Sequence, residues 1–123
     1  MANILVVEDD PMIRTVYEKI LLTASHTVTT AQDGEEGLKL AEEKKPDLIV
    51  LDMLMPIVDG ITFLEKYDIK NKHPETKVIV MSNVMMQDKI DRAVELGAVN
   101  YKTKAMFSPK ELLELVNQTL SSS

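Results

Sequence analysis

The sequence predicts an α/β fold, a parallel sheet with helices packed on both of its faces. Two observations predict it. The runs Ile4-Leu5-Val6-Val7, Leu48-Ile49-Val50-Leu51 and Val78-Ile79-Val80-Met81 are apolar throughout and do not alternate with polar residues. Such runs suit strands buried on both faces. Between them lie stretches with apolar residues at helical spacing, so strand and helix alternate along the chain, and right-handed crossovers then give one parallel sheet.

Taken in order, the first strand is Ile4 to Val7, and it runs into Glu8-Asp9-Asp10. Asp10 before Pro11 reads as an N-cap with proline at the first helical position. Ile13, Val16, Tyr17, Ile20 and Leu21 then recur at helix spacing. Thr27-Val28-Thr29-Thr30-Ala31 is a more polar strand candidate and suits a sheet edge. Asp33-Gly34-Glu35-Glu36 opens a second helix with Gly37, Leu38 and Ala41 inward, ended by Pro46. The strand Leu48 to Leu51 ends at Asp52. Ile61, Leu64 and Tyr67 mark a third helix, weakly defined after residue 70. The strand Val78 to Met81 leads to Ser82 and Asn83. Ile90, Ala93 and Val94 mark a fourth helix, stopped at Gly97. Asn100-Tyr101-Lys102-Thr103 is the second polar edge candidate. Ser108-Pro109 caps a fifth helix with Leu112, Leu113, Val116 and Leu120 inward.

The chain has 123 residues, 45% of them hydrophobic, which is enough for one domain with a full core. The expected domain is 1–120, with Ser121 to Ser123 a disordered tail or a remnant of cloning. Cysteine is absent, so disulfides and thiolate metal sites are excluded. The start of the chain lacks the basic region of a signal peptide, and no apolar segment reaches membrane-spanning length. A cytoplasmic protein without a membrane partner is expected. A net charge of −6 without a basic stripe argues against direct nucleic-acid binding. His26 and His73 lie beside turn residues and are expected to be exposed. Most of the eight methionines read as core filler, and Met85 and Met86 as part of a partner-binding face.

Ligand sites in parallel α/β sheets lie at the carboxyl ends of the strands. The strands deliver Glu8, Asp9 and Asp10, then Asp52, then Ser82 and Asn83, then Lys104 to that rim. Carboxylates gathered this closely repel one another or recruit a cation. Carboxylate oxygens suit magnesium, or manganese, but not zinc. A metal beside a lysine and a hydroxyl makes a cradle for a phosphoryl group, and an aspartate there can act as the nucleophile. Lys102 points the same way as Lys104 along the strand, but Lys104 lies nearer the rim. Asp10 reads as a helix cap and Asp59, with Gly60, as a turn cap.

The chain resembles the receiver domains of two-component response regulators over residues 3–120. The resemblance rests on Val7-Glu8-Asp9-Asp10, on Asp52 followed by Met55-Pro56 and Asp59-Gly60, on Ser82, and on Gly97 to Lys104. Asp9, Asp52, Ser82 and Lys104 stand 43, 30 and 22 residues apart, as this family has them. It implies a flavodoxin-like doubly wound sheet of five strands in the order 2-1-3-4-5, with five helices in three α/β/α layers. It implies that Asp52 is the phosphoacceptor and that Asp9 ligates Mg2+ directly, Glu8 through water and Leu54 by its backbone carbonyl. Ser82 would be the switch hydroxyl, Tyr101 the aromatic that swings inward behind it, and Lys104 the phosphate-pairing lysine. The donor would be a sensor histidine kinase or phosphotransfer protein. The output would pass through the face of the fourth helix, fifth strand and fifth helix, to a downstream protein or a lost output domain. Many family members dimerise through that face on phosphorylation, and the sequence leaves a homodimer open.

The chain departs from the family at Asn83, where a small residue is usual, and at Ala105, where a proline is usual. A cis bond before a non-proline residue costs roughly 3 kcal/mol, so a trans or a strained cis bond is expected there. One residue is inserted before Phe107-Ser108-Pro109. Leu54 and Val84 are both apolar and would screen an acyl phosphate from water. Two rival readings stand beside this one, the first kept open by Asn83 and Ala105. One is a pseudo-receiver that is never phosphorylated and acts as a protein-interaction module. The other is an enzyme with an aspartyl intermediate, but such enzymes usually carry a general acid two residues past the nucleophile, and Leu54 cannot serve.

Overall fold

The computed structural model describes residues 2–83 and 85–121. The strands are β1 (Asn3–Val7), β2 (Thr27–Ala31), β3 (Leu48–Leu51), β4 (Lys77–Ser82) and β5 (Asn100–Thr103). All neighbours pair in parallel, in the order β2-β1-β3-β4-β5. The helices are α1 (Pro11–Leu22), α2 (Gly34–Lys44), α3 (Gly60–Tyr67), the short α4 (Ile69–Lys72), α5 (Gln87–Glu95) and α6 (Pro109–Ser121), with a 3-10 turn at Lys104–Met106.

The unbroken apolar runs are explained by two separate cores. Leu5, Val7, Ile49, Leu51, Val78 and Val80 face one core, with Ala41, Phe63, Leu64 and Ala93 from α2, α3 and α5. Ile4, Val6, Leu48, Val50, Ile79 and Met81 face the other, with Tyr17, Leu21, Leu112 and Val116 from α1 and α6. Alternate residues of each run enter opposite cores, so polar side chains occur only at the strand ends, at Asn3, Lys77 and Ser82. Each such burial contributes about 1.5–3 kcal/mol. The two polar strands, β2 and β5, are the sheet edges.

The expected caps form. The Asp10 carboxylate accepts from the Met12 and Ile13 amides and Asp33 from Glu36. Asp59, expected to cap a turn, is the N-cap of α3 and accepts from the Thr62 amide. Ser108 and Glu111 make a reciprocal capping box at α6. Gly97 takes a φ of 113° just past α5, a backbone region that glycine adopts freely.

Several expectations are corrected. The third helix stops at Tyr67, where Asp68 turns left-handed at φ 53°, and α4 follows as a separate turn. The helix expected fourth is therefore α5, and the one expected fifth is α6. Val94 is exposed, because α5 buries only Ala93 fully. The last helix continues through Ser121, so that residue is not part of a tail. Met53 and Met81 are core residues, whereas Met12 and Met106 are among the most exposed side chains. His73 is buried against Tyr67, ring centroids 3.9 Å apart, with Glu42 3.4 Å away. His26 is half-buried between the Ala2 amide, which donates to its Nδ1, and Asn117.

Candidate functional site at the carboxyl rim

The sheet order places the rim. β2 and β3 lie on opposite sides of β1, so the chain reverses direction across the sheet at β1 and β3 and leaves a crevice beyond their ends. Glu8 and Asp52 are the first residues beyond those strands. The sheet bonding runs one residue further here. The Glu8 amide donates to the Ala31 carbonyl (3.1 Å) and the Asp52 amide to the Val7 carbonyl (3.0 Å). Both acids are therefore fixed by backbone, and both are buried, 2% and 5% exposed. Asp9 is exposed at the crevice mouth. Carboxylate oxygens of Glu8, Asp9 and Asp52 lie within 4.8 Å of one another.

Lys104 answers these charges. Its Nζ lies 2.6 Å from Glu8 Oε1 and 3.1 Å from Asp52 Oδ2. It opens the 3-10 turn just after β5, at the strand end where the sequence places it. Burial pulls the Lys104 ammonium down, but the Glu8 hydrogen bond and the Asp52 and Glu8 charges more than offset this, and its pKa is raised. Asp52 is pushed up to about 7, first by burial and then by the Glu8 charge, with Lys104 opposing. One ammonium cannot neutralise this group, and the site retains an appetite for a further cation. Its donors are all oxygens, which suits a hard ion such as Mg2+.

Ser82 ends β4 fully buried. Tyr101 is half-buried on β5, packs against the first core, and shares a side-chain hydrogen bond with Ser82. Burial raises the Tyr101 pKa, the Ser82 bond opposes this, and the Asp52 charge adds to the rise. Asn83 is exposed, so its side chain does not crowd the crevice. Lys102 sits over the Phe107 ring, 5.9 Å from its centroid. The Lys104–Ala105 bond is trans. Leu54 is exposed, and its amide donates to Asp52 Oδ1 at 3.4 Å. Val84 lies outside the described residues.

Two neighbours of the site were not singled out in the sequence. The Arg14 guanidinium donates to the Glu8 carbonyl (2.8 Å). Tyr17, raised to about 12 mainly by burial, feels the charges of Lys104, Glu8 and Asp52. The signal available was position: both stand on the first turns of α1, which begins at the rim.

Comparison with known proteins agrees with this architecture. The family model of the response regulator receiver domain matches residues 4–117. The chain is 39% identical over 104 residues to the probable C4-dicarboxylate response regulator DctR of Bacillus subtilis, covering 83% of this chain and 45% of that protein. It is 37% identical over 116 residues to the DNA-binding transcriptional regulator NtrC of Escherichia coli, covering 94% of this chain and 24% of that protein. The chain thus spans about half or less of the length of these curated relatives. Among solved structures, a CheY-like receiver domain from Methanospirillum hungatei superposes with a TM-score of 0.90 at 28% identity, covering 98% of this chain and 94% of that one. The receiver domain of a Francisella response regulator does so with a TM-score of 0.87 at 31% identity, covering 98% and 97%. No helix among the described residues is long and apolar enough to cross a membrane. With five parallel strands in this order and a profile match over nearly its whole length, the chain belongs to the response regulator receiver domain family.

Proposed function

We propose that the chain is a phosphorylation-controlled switch with Asp52 as its phosphoacceptor. The single observation that carries this is the convergence of Glu8, Asp9 and Lys104 on a buried Asp52. An Asp52 carboxylate oxygen attacks the phosphorus of a phosphohistidine, the P–N bond breaks, and the imidazole nitrogen leaves with the bonding pair and takes a proton. Glu8, Asp9, Asp52 and the Leu54 carbonyl would hold Mg2+ (or Mn2+), which would neutralise charge on the phosphoryl oxygens. Lys104 then leaves Asp52 for a phosphoryl oxygen while keeping Glu8. Ser82 donates to another, and its bond with Tyr101 links that event to β5.

The partner that supplies the phosphoryl is a sensor histidine kinase or a phosphotransfer protein. The output face is α5, β5 and α6, with Met85 and Met86 exposed just ahead of α5. It serves a downstream protein, an attached output domain or a second copy. The domain changes its own phosphorylation state and is not an enzyme with a turnover substrate.

Phosphotransfer from a phosphohistidine domain, followed by amide spectra of this chain, tests the reading. Transfer that needs Asp52 and shifts resonances in α5, β5 and α6 is expected. Transfer to any other residue, or none, would contradict it.

A further inference from the structure

We propose that Gly34 is a positioning residue for the phosphoacceptor. Its missing side chain lets the loop between β3 and α3 close against α2, and that contact sets the Leu54 peptide against the Asp52 carboxylate. The inference rests on the reading of Asp52 given above.

The loop is short and tied at its base. The Gly60 amide donates to the Met53 carbonyl (2.9 Å), and a β-carbon on Gly60 would lie 2.8 Å from Met53 Cα and 2.9 Å from the Asp52 carbonyl oxygen. At its tip the Val58 amide donates to the Pro56 carbonyl (2.8 Å) across Ile57, which has a φ of 71°. This is the rare, strained kind of γ-turn, with a β-branched residue where glycine is at ease. Ile57 is exposed, so its side chain does little to hold the turn. Such a conformation persists only where the surroundings over-determine it.

Gly34 supplies that surrounding. A β-carbon there would fall on the Val58 carbonyl oxygen and lie 2.7 Å from Val58 Cβ and 2.8 Å from its carbonyl carbon. These are backbone and near-backbone atoms that cannot rotate aside. Any side chain on Gly34 must move Val58, and a loop closed at Met53 and Gly60 passes the movement to Leu54. The Leu54 amide meets Asp52 Oδ1, and its carbonyl is the ligand that the proposed function gives to the metal. Gly37, one turn further along α2, is different. Its β-carbon would meet the Val7 methyls at 2.9 Å and the Phe63 ring at 3.2 Å, both core side-chain atoms rather than loop backbone.

Gly34→Ala and Gly37→Ala in the whole chain separate the two roles. Three readouts are compared: the Leu54 and Val58 amide resonances without metal, the Mg2+ dissociation constant from titrating them, and the urea midpoint. Gly34→Ala is expected to move both resonances in the metal-free protein and to weaken Mg2+ binding roughly tenfold, the usual scale for a residue that orients a metal ligand. Gly37→Ala is expected to lower the urea midpoint and leave Mg2+ affinity within about twofold. Adding Ile57→Gly to Gly34→Ala lets the turn yield and keeps the chain folded, with the same loss of Mg2+ affinity expected. Unmoved Leu54 and Val58 resonances, or equal Mg2+ effects from the two alanine variants, would overturn the proposal. The metal-free resonances decide it even if Asp52 takes no phosphoryl group, an outcome that would instead sink the reading of the site.

Discussion

Lys104 Nζ bridges Asp52 Oδ2 at 3.1 Å and Glu8 Oε1 at 2.6 Å, so one ammonium joins the acids delivered by two different strands. Removing it leaves buried like charges facing each other. Lys104→Met is expected to cost about 2–3 kcal/mol in urea unfolding above neutral pH, less than a fully buried pair would because Asp52 can take up a proton. Mg2+ should restore much of that loss. A variant as stable as the wild type in chelator would show that the bridge contributes nothing.

Asp52 gives the fold a pH dependence of definite sign. Its pKa rises from 3.8 to about 7 on folding. Between those values the folded chain holds a proton that the unfolded chain has released, so stability falls as pH rises through that window. Above it the full cost of the buried carboxylate remains. In chelator, Asp52→Asn should be more stable than the wild type on the alkaline side, and the gap should shrink toward acid. Urea midpoints across that range check it, and a gap independent of pH would contradict it. Saturating Mg2+ favours the carboxylate and should narrow the gap.

Ile57 stores strain on the surface. Its φ of 71° costs a β-branched residue about 1–2 kcal/mol, and the side chain is 71% exposed, so little packing is lost on replacement. Ile57→Asn, which tolerates this backbone, is expected to stabilise the fold by about 1 kcal/mol. A lower urea midpoint would mean that the isoleucine makes contacts the strain estimate ignores.

Leu54 stands two residues beyond Asp52 and is 61% exposed at the crevice. An apolar side chain there is expected to keep water from lining up on the acyl phosphate. Leu54→Asn should therefore speed loss of the phosphoryl group severalfold in Mg2+, measured by intact mass over time. An unchanged rate would remove Leu54 from the account.

Much of the fold was legible because its central strands are buried on both faces. A run such as Leu48 to Leu51 has no other economical place, and the polar β2 and β5 could only be edges. The caps at Asp10, Asp33 and Ser108 were equally plain, since each is a local bond. What the sequence hid is what depends on neighbours distant along the chain. Val94 has helical spacing but faces out, because α5 rests on the sheet through Ala93. His73 looks like a loop residue, yet stacking on Tyr67 buries it. The convergence of Glu8, Asp52 and Lys104 followed from strand ends and sheet order. The Arg14 bond to the Glu8 carbonyl and the Gly34 contact with Val58 did not, because each joins separate elements through a single atom or a missing one.

Whether Asp52 takes a phosphoryl group is decided by intact mass after incubation with a small phosphodonor and Mg2+, beside an Asp52→Asn control and a chelator control. A gain of one phosphoryl group that both controls abolish is expected. A folded chain that gains nothing, or gains it equally in Asp52→Asn, would contradict it.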